Sequence, residues 1–195
     1  MTLLLLVVVA YLIGAIPTGV ILTRLAGGED IRNAGSGNIG ATNVYRVAGR
    51  KLGVMTLIGD CLKGAIPTLL AGQTFHLSET GVALVALVAF IGHCYPVYLG
   101  FKGGKGVATA LGIFLVLSPL SVLCILFVFV LVLWKWRYIS LASISSAASI
   151  PLLVLLFERS VPLFAATLVI AAIVIWRHKG NIELLRRGTE NKFNL

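Results

Sequence analysis

Residues 107–134 read VATALGIFLVLSPLSVLCILFVFVLVLW and contain no charged side chain. About 20 apolar residues in a helix cross the hydrocarbon core of a bilayer, so this stretch is longer than one span needs. Ser118 and Pro119 interrupt it, and proline lacks the N–H that a continuing helix uses. The stretch is therefore one long bent span or a hairpin of two short helices.

The composition of the whole chain is that of a membrane protein. Of its 195 residues, 58% are hydrophobic and 12% are charged, and the mean hydropathy is +1.01. A soluble domain needs about twice that share of charged residues. The net charge of +9 comes from Lys and Arg in short segments between apolar runs. This distribution favours topology control and anionic ligands over nucleic acid.

Five further apolar segments bring the total to six or seven helices, and Pro17 and Pro67 are expected to bend two of them. Short cytoplasmic loops carry an excess of Lys and Arg. The basic segments alternate with uncharged or balanced ones only if Ser118-Pro119 is an external turn. We therefore predict an all-α integral membrane protein, a single domain over residues 1–195. It is a bundle of seven transmembrane helices, some short or kinked, with cytoplasmic glycine-rich loops, the N-terminus outside and the C-terminus inside. The first segment is expected to be retained as a span. The five segments are residues 2–23, 52–71, 80–99, 138–157 and 161–176.

The first basic loop contains AGSGNIGATNVYR at residues 34–46. Three glycines allow positive φ and a close approach of backbone to a ligand, and a short helix is expected from about Ala41. A glycine-rich turn that leads into a helix N-terminus presents free N–H groups to a phosphate, and Arg46 adds a forked cation. The alternative is a flexible turn with a helix cap. The candidate ligand groups are Ser36, Gly37, Asn38, Gly40, Ala41, Thr42 and Asn43.

The second basic loop reads FKGGKGVAT at residues 101–109. It resembles a nucleotide-binding P-loop but fails its pattern, because Leu99 replaces the first glycine and Gly106 follows Lys105 where Ser or Thr is required. Gly103, Gly104 and Lys105 nevertheless predict a second phosphate site at the start of a helix that begins at Val107. The alternative is that the lysines only anchor the loop on the cytoplasmic side.

The C-terminal basic segment reads RHKGNIELLRRGTE at residues 177–190. Asn181 suits a helix N-cap and Gly188 a helix stop. Capping does not explain His178, which can donate to an anion or transfer a proton. Ser143 is one of four serines near the inner start of the apolar segment at 138–157, where small residues allow helix contact or reach the loops.

Three ionisable residues lie within the predicted spans. Asp60 and Lys63 are spaced i, i+3 on one helical face, so they either neutralise each other or Asp60 orients a loop cation. His93 lies in an apolar run, where a structural role is favoured. Taken together, the loops predict an anionic ligand with more than one phosphate, and the apolar bundle predicts a lipid tail on it.

The motif order resembles that of the bacterial acyl-phosphate:glycerol-3-phosphate acyltransferases, the PlsY family. The resemblance covers essentially the whole chain and rests on GSGNIGATN at 35–43 with Arg46, on Gly92-His93 and FKGGKG at 101–106, and on Arg177-His178, Asn181-Ile182 and Glu190. It implies an enzyme of the bacterial cytoplasmic membrane that acts in the first step of phospholipid synthesis. The implied reaction transfers an acyl group from acyl phosphate to the 1-hydroxyl of sn-glycerol 3-phosphate, giving lysophosphatidic acid and phosphate.

The resemblance also implies roles for individual residues. Acyl phosphate would bind to the candidate groups of the first loop and to Gly103, Gly104 and Lys105, and no metal, cofactor or nucleic acid is implied. The expected partners are the two substrates and membrane lipid, with the oligomeric state left open. A transporter or channel for a phosphorylated metabolite and a non-catalytic assembly subunit are the alternatives. Glycerol 3-phosphate would bind to Arg46, Lys105, Ser143, His178 and Asn181, and catalysis would use Lys105, Arg46 and Ser36.

Overall fold

The computed structural model describes residues 1–193, and every regular element in that range is helical. Short 3-10 turns lie at Ile31–Asn33 and Val97–Leu99, and α4 continues into a π-helical segment at Leu70–Thr74. The α-helices are α1 (Thr2–Gly14), α2 (Thr18–Leu25), α3 (Ala41–Ala48), α4 (Arg50–Leu69), α5 (Glu79–Cys94), α6 (Val107–Leu117), α7 (Pro119–Trp136), α8 (Ile139–Glu158), α9 (Val161–Arg177) and α10 (Lys179–Arg186).

The helices include several of the membrane spans that the hydropathy predicts. Four segments of the described chain are long and apolar enough to cross a membrane, at Arg50–Thr74, Glu79–Leu99, Pro119–Trp136 and Ile139–Glu158. The number rises to six if α1 with α2 and α9 with α10 each form one bent span. The protein is thus an all-helical integral membrane protein with several spans, and the count of seven stays a prediction.

Pro17, which was expected to bend the first apolar segment, and Pro119, which interrupts the fourth, both lie at helix breaks. α1 and α2 meet at an angle of 43°, with Pro17 at the N-cap of α2. α6 ends at Leu117 and α7 begins at Pro119, where the missing N–H costs nothing because first-turn N–H groups have no helical partner. Pro67, by contrast, lies inside α4, which runs on to Leu69 before the π-helical segment.

The chain forms two compact units, one over Met1–Val116 and one that begins at Leu117. In the first unit, glycines bring helix backbones into direct contact, as small residues do in membrane bundles. A Cβ atom at Gly14 of α1 would lie 2.0 Å from the carbonyl oxygen of Ala89 in α5. One at Gly112 of α6 would lie 1.9 Å from the carbonyl oxygen of Cys61 in α4. Larger side chains at these positions would separate the helices.

In the second unit, α8 packs against both α7 and α9. Ser118, at the start of α7, hydrogen-bonds to the Glu158 carboxylate at the end of α8 over 2.7 Å and lies 2.7 Å from the Ser121 hydroxyl. Ser146 donates to the Ile125 carbonyl across the same helix pair at 3.2 Å. Polar contacts between helices therefore supplement apolar packing here, where lipid supplies no hydrophobic driving force.

Candidate active site

The first glycine loop is organised around the side chain of Asn43, which is 2% exposed. Its Oδ1 accepts the N–H of Ser36 at 2.8 Å. Its Nδ2 donates to the carbonyl oxygens of Ile31, Ala34 and Asn38 at 3.2, 3.0 and 2.9 Å. One neutral amide therefore satisfies both donors and acceptors of the loop backbone. The sequence predicts Asn43 as a ligand group, whereas in the structure its side chain hydrogen-bonds to the loop backbone.

Positive φ angles shape this loop where the sequence has glycine. Gly35 and Gly37 have φ of +59° and +69°. A Cβ atom at Gly35 would also lie 2.3 Å from Oδ1 of Asn43, so only glycine fits against the bracing amide. Ser36, between these two glycines at the tip of the loop, is exposed.

The loop leads into the N-terminus of α3, as predicted. The side chain of Asn38 accepts the N–H of Gly40 at 2.8 Å, and α3 begins at Ala41. Gly40, the N-cap, has no side chain to occupy the first-turn N–H groups, which carry the partial positive charge of the helix. Thr42 is half-buried in that turn, and Arg46 is exposed one turn further along. An anion at this end of α3 would meet N–H groups, a hydroxyl and a guanidinium.

An acidic residue that the sequence analysis did not single out lies just before this loop. Asp30 forms ion pairs with Arg32 at 2.6 Å and with Arg24 at 3.2 Å. The hydrogen bonds from Arg32 hold the pKa of Asp30 well below its usual range, and Asp30 raises the pKa of Arg32 in turn. Two cations that precede the loop, Arg24 at the end of α2 and Arg32 in the 3-10 turn, are thereby committed to a carboxylate. The signal in the sequence is the acidic residue two positions before Arg32.

The second glycine loop lies directly on the end of α5. The N–H of Gly104 donates to the carbonyl oxygen of His93 at 3.2 Å. Gly106 has a φ of +81°, and a Cβ atom there would lie 2.1 Å from the ring of Phe90. Lys105, between these two glycines, is half-buried, and α6 begins at Val107 as predicted.

A shared apolar core connects the two loops of the first unit. Val20 of α2, Ile31, Ile39 and Val44 form a buried cluster beneath the first loop. Leu99, just before the second loop, packs against it. Both loops therefore belong to the same end of the first unit.

In the second unit, the predicted residues His178 and Asn181 lie on either side of the start of α10. His178 is 3% exposed, and its Nδ1 lies 2.7 Å from the carbonyl oxygen of Val174. Because a carbonyl only accepts, Nδ1 carries the proton, which assigns Nε2 the acceptor role in the neutral ring. The N-cap prediction for Asn181 is wrong, because α10 begins at Lys179 and Asn181 lies inside it. Gly188, with φ of +69°, does follow the end of α10.

Glu190 holds the polar side chains of this unit in place. Its Oε1 accepts from Nδ2 of Asn181 at 2.8 Å and from the hydroxyl of Ser140 in α8 at 2.9 Å. In the sequence, Glu190 stands out only as part of the C-terminal motif. Because it is far from Ser140 along the chain, the sequence does not predict this contact. Ser143, one turn further along α8, is buried and donates to the carbonyl oxygen of Ile139 at 2.9 Å.

These features define a membrane enzyme or binding protein for anionic, phosphate-like groups. Glycine loops, a helix N-terminus, half-buried Lys105 and exposed Arg46 occur in one unit, and a buried histidine with an anchored asparagine occurs in the other. Backbone N–H groups and cations of the kind found in the first unit are typical of phosphate sites, which bind through charge-assisted hydrogen bonds.

Comparison with known proteins gives the family. The glycerol-3-phosphate acyltransferase family matches residues 4–188. A glycerol-3-phosphate acyltransferase of Syntrophotalea carbinolica is 66% identical over 94% of each chain. Crystal structures of PlsY, described as an integral membrane glycerol 3-phosphate acyltransferase, superpose with TM-scores of 0.95 for its glycerol 3-phosphate form and 0.93 for its lysophosphatidic acid form. They are 42% and 41% identical to this chain, and each comparison covers all of this chain and 96% of the other. The chain belongs to the glycerol-3-phosphate acyltransferase (PlsY) family of membrane enzymes.

Proposed function

We propose that the protein, as one acyltransferase domain, transfers an acyl group from acyl phosphate to the 1-hydroxyl of sn-glycerol 3-phosphate. The products are lysophosphatidic acid and inorganic phosphate, and the reaction supplies the first intermediate of bacterial phospholipid synthesis. PlsY, the structural relative, has a glycerol 3-phosphate form and a lysophosphatidic acid form. The acyl phosphate donor is what the resemblance of the loop motifs to the acyl-phosphate-dependent family implies.

The observation that carries the proposal is the first glycine loop with its brace. Asn43 holds the loop open through four backbone hydrogen bonds, and the loop ends at the uncapped start of α3. We assign the acyl-phosphate head group to Ser36, Gly37, Asn38, Gly40, Ala41, Thr42 and Asn43, with Asn43 acting through the loop that it braces. Gly103, Gly104 and Lys105 complete the donor site.

Glycerol 3-phosphate is assigned to cations and polar side chains. In the first unit these are Arg46 and Lys105, and Lys105 is assigned to both phosphates because two anions held close together need a shared cation to offset their repulsion. In the second unit the assignment rests on side-chain chemistry. Buried His178, anchored Asn181 and buried Ser143 offer hydrogen-bonding groups.

The reaction requires positioning more than strong acid or base catalysis. The 1-hydroxyl oxygen attacks the acyl carbonyl carbon, the new ester C–O bond forms, and the bond from that carbon to the phosphate oxygen breaks. Phosphate leaves with the bonding electrons and takes up the hydroxyl proton. Lys105, Arg46 and Ser36 stabilise the charge that develops on the phosphate, in a site arranged before the reaction.

The proposed location is a bacterial cytoplasmic membrane, with the N-terminus outside and the loops and C-terminus on the cytoplasmic side. The basic residues of 24–51, 102–105 and 177–187 support this orientation, since short cytoplasmic loops are rich in Lys and Arg. Glycerol 3-phosphate, a water-soluble metabolite, would reach the loops from the cytoplasm, and the acyl chain would lie among apolar helices.

The test is product formation by the purified protein in detergent. Radiolabelled glycerol 3-phosphate is supplied with palmitoyl phosphate, palmitoyl-CoA or palmitoyl acyl carrier protein. We expect labelled lysophosphatidic acid with palmitoyl phosphate alone, at a rate that falls on the order of 100-fold in K105M. Product from palmitoyl-CoA would overturn the donor assignment. No product from any donor would favour transport or assembly, neither of which makes a new bond.

A further inference from the structure

Three ionisable side chains are buried inside the first unit, and the proposed chemistry uses none of them. Asp60 and Lys63 lie one turn apart on α4, and His93 lies near the end of α5; they are 2%, 5% and 3% exposed. Burial of charged groups in a membrane protein costs several kcal/mol, by order of magnitude, unless they are paired. A pair of well-packed apolar residues is often as stable or more stable. Stability alone therefore does not explain these residues.

Lys63 joins α4 to the break between α1 and α2. Its Nζ lies 2.8 Å from Oδ1 of Asp60 and donates to the carbonyl oxygen of Ile16 at 2.8 Å. Ile16 lies just before Pro17, at the point where the 43° bend removes regular helix hydrogen bonding. The ammonium thus satisfies a carboxylate and a carbonyl at the helix break, which fixes Asp60 in one orientation.

His93 connects this pair to the second glycine loop. Its Nδ1 lies 3.8 Å from Oδ1 of Asp60, and its backbone carbonyl accepts the N–H of Gly104. A Cβ atom at Gly104 would lie 2.2 Å from Nε2 of the same imidazole. One edge of the ring therefore faces Asp60, and the other supports the backbone of Gly104, next to Lys105.

We propose that Asp60, Lys63 and His93 are positioning residues that fix the turn at Gly103, Gly104 and Lys105. This inference rests on the proposed role of Lys105 as a ligand of the substrate phosphates. The ion pair orients the imidazole, the imidazole supports Gly104, and the ammonium of Lys105 is held at one position relative to α5. A displacement of about 1 Å in a positioned group can cost on the order of 100-fold in rate.

The first test is a double-mutant cycle on kcat/KM with H93A, K105A and H93A/K105A, using the full chain in detergent. T68V is the matched control, because Thr68 is buried on α4 and its hydroxyl bonds only the Gly64 carbonyl among the described contacts. We expect H93A to lower kcat/KM about 100-fold in the wild-type background and less than about threefold in the K105A background. T68V should stay within about twofold of wild type.

Two outcomes separate the inference from the proposed function. If K105A is as active as wild type, the assignment of Lys105 fails, and the positioning role fails with it. If K105A is impaired but H93A lowers kcat/KM by the same factor in both backgrounds, only the positioning role is overturned. D60N, which keeps the size of the side chain but removes its charge, replaces H93A in the same cycle if H93A is not recovered as folded protein.

The second test measures the turn directly, without reference to activity. Trypsin cleaves after Lys102 and Lys105, and cleavage of a held turn requires local opening. We expect cleavage in this turn to accelerate about tenfold in H93A and D60N, as for a loss of about 1.4 kcal/mol in local stability. Cleavage after Arg50 serves as the internal reference, and T68V should match wild type. Unchanged cleavage of the turn in both variants would overturn the proposal.

Discussion

The first glycine loop is held from within by one neutral amide, whereas the second rests on a histidine with an ion pair behind it. Asn43 bonds four backbone groups of its own loop, all within twelve residues along the chain. Gly104 is supported by His93 of α5, and behind His93 lie Asp60 and Lys63 of α4. The first loop is thus stabilised by one of its own side chains, and the second depends on the packing of α4 and α5.

The difference follows from what each loop has beside it. The first loop has an exposed tip, leads into a short helix and packs on an apolar cluster. Its backbone groups bond one of its own side chains, since an asparagine can both donate and accept. The second loop connects two apolar helices, and its glycines lie against a helix end. The position of the second loop is therefore set by the packing of α4 and α5, provided that the charged side chains buried between them are paired.

The largest effect is expected when the internal brace is removed. N43A leaves the N–H of Ser36 and three carbonyls without their amide partner, at a cost of about 1–3 kcal/mol for each group that stays buried. We expect a loss on the order of 100-fold in kcat/KM together with a lower Tm. N43D should be as severe, because its carboxylate oxygen would face carbonyl oxygens in place of the donor.

The control for this pair is N33A, since Asn33 is exposed in the neighbouring 3-10 turn. Its kcat/KM is expected within about twofold of wild type. Near-wild-type activity in N43D would show that the donor bonds are dispensable and that the first loop resembles the second in its dependence on packing.

An intermediate effect is expected at Glu190, which ties the C-terminal segment to α8. E190A removes the acceptor of Asn181 and Ser140, and we expect the KM for glycerol 3-phosphate to rise about tenfold. E190Q keeps a carbonyl oxygen at the same place and should stay within about threefold. Steady-state kinetics with varied glycerol 3-phosphate measures both. Equal losses in kcat with no change in KM would contradict a role in holding a ligand side chain.

The smallest effect concerns the ion pairs of Asp30 at the entry of the first loop. Because the pKa of Asp30 is lowered in the folded protein, its contribution is complete above the unfolded pKa of about 3.9 and disappears as the pH falls through the folded value. We expect D30N to lower Tm by about 1–2 °C at pH 7. The difference should shrink below about pH 4. A Tm difference that grows in acid would reverse the sign of this interaction.

Much of the local structure could be predicted from the sequence. The apolar segments locate the helices, Pro17 and Pro119 mark two breaks, and the glycines before Ala41 and Val107 mark the starts of α3 and α6. These features depend on residues close together in the chain. Proline removes a helix donor and glycine permits positive φ wherever they occur, whatever packs against them.

The sequence alone thus determined an all-helical membrane chain with two glycine-rich, basic loops and a C-terminal basic segment, because hydropathy and backbone freedom are local properties. Only the tertiary structure decided that Asn43 faces inward, that His93 supports Gly104, and that Glu190 anchors Asn181 inside α10 instead of at its cap. Those contacts depend on which helix ends pack together and on how far the helices are shifted along each other. The spacing of residues along the chain does not determine either.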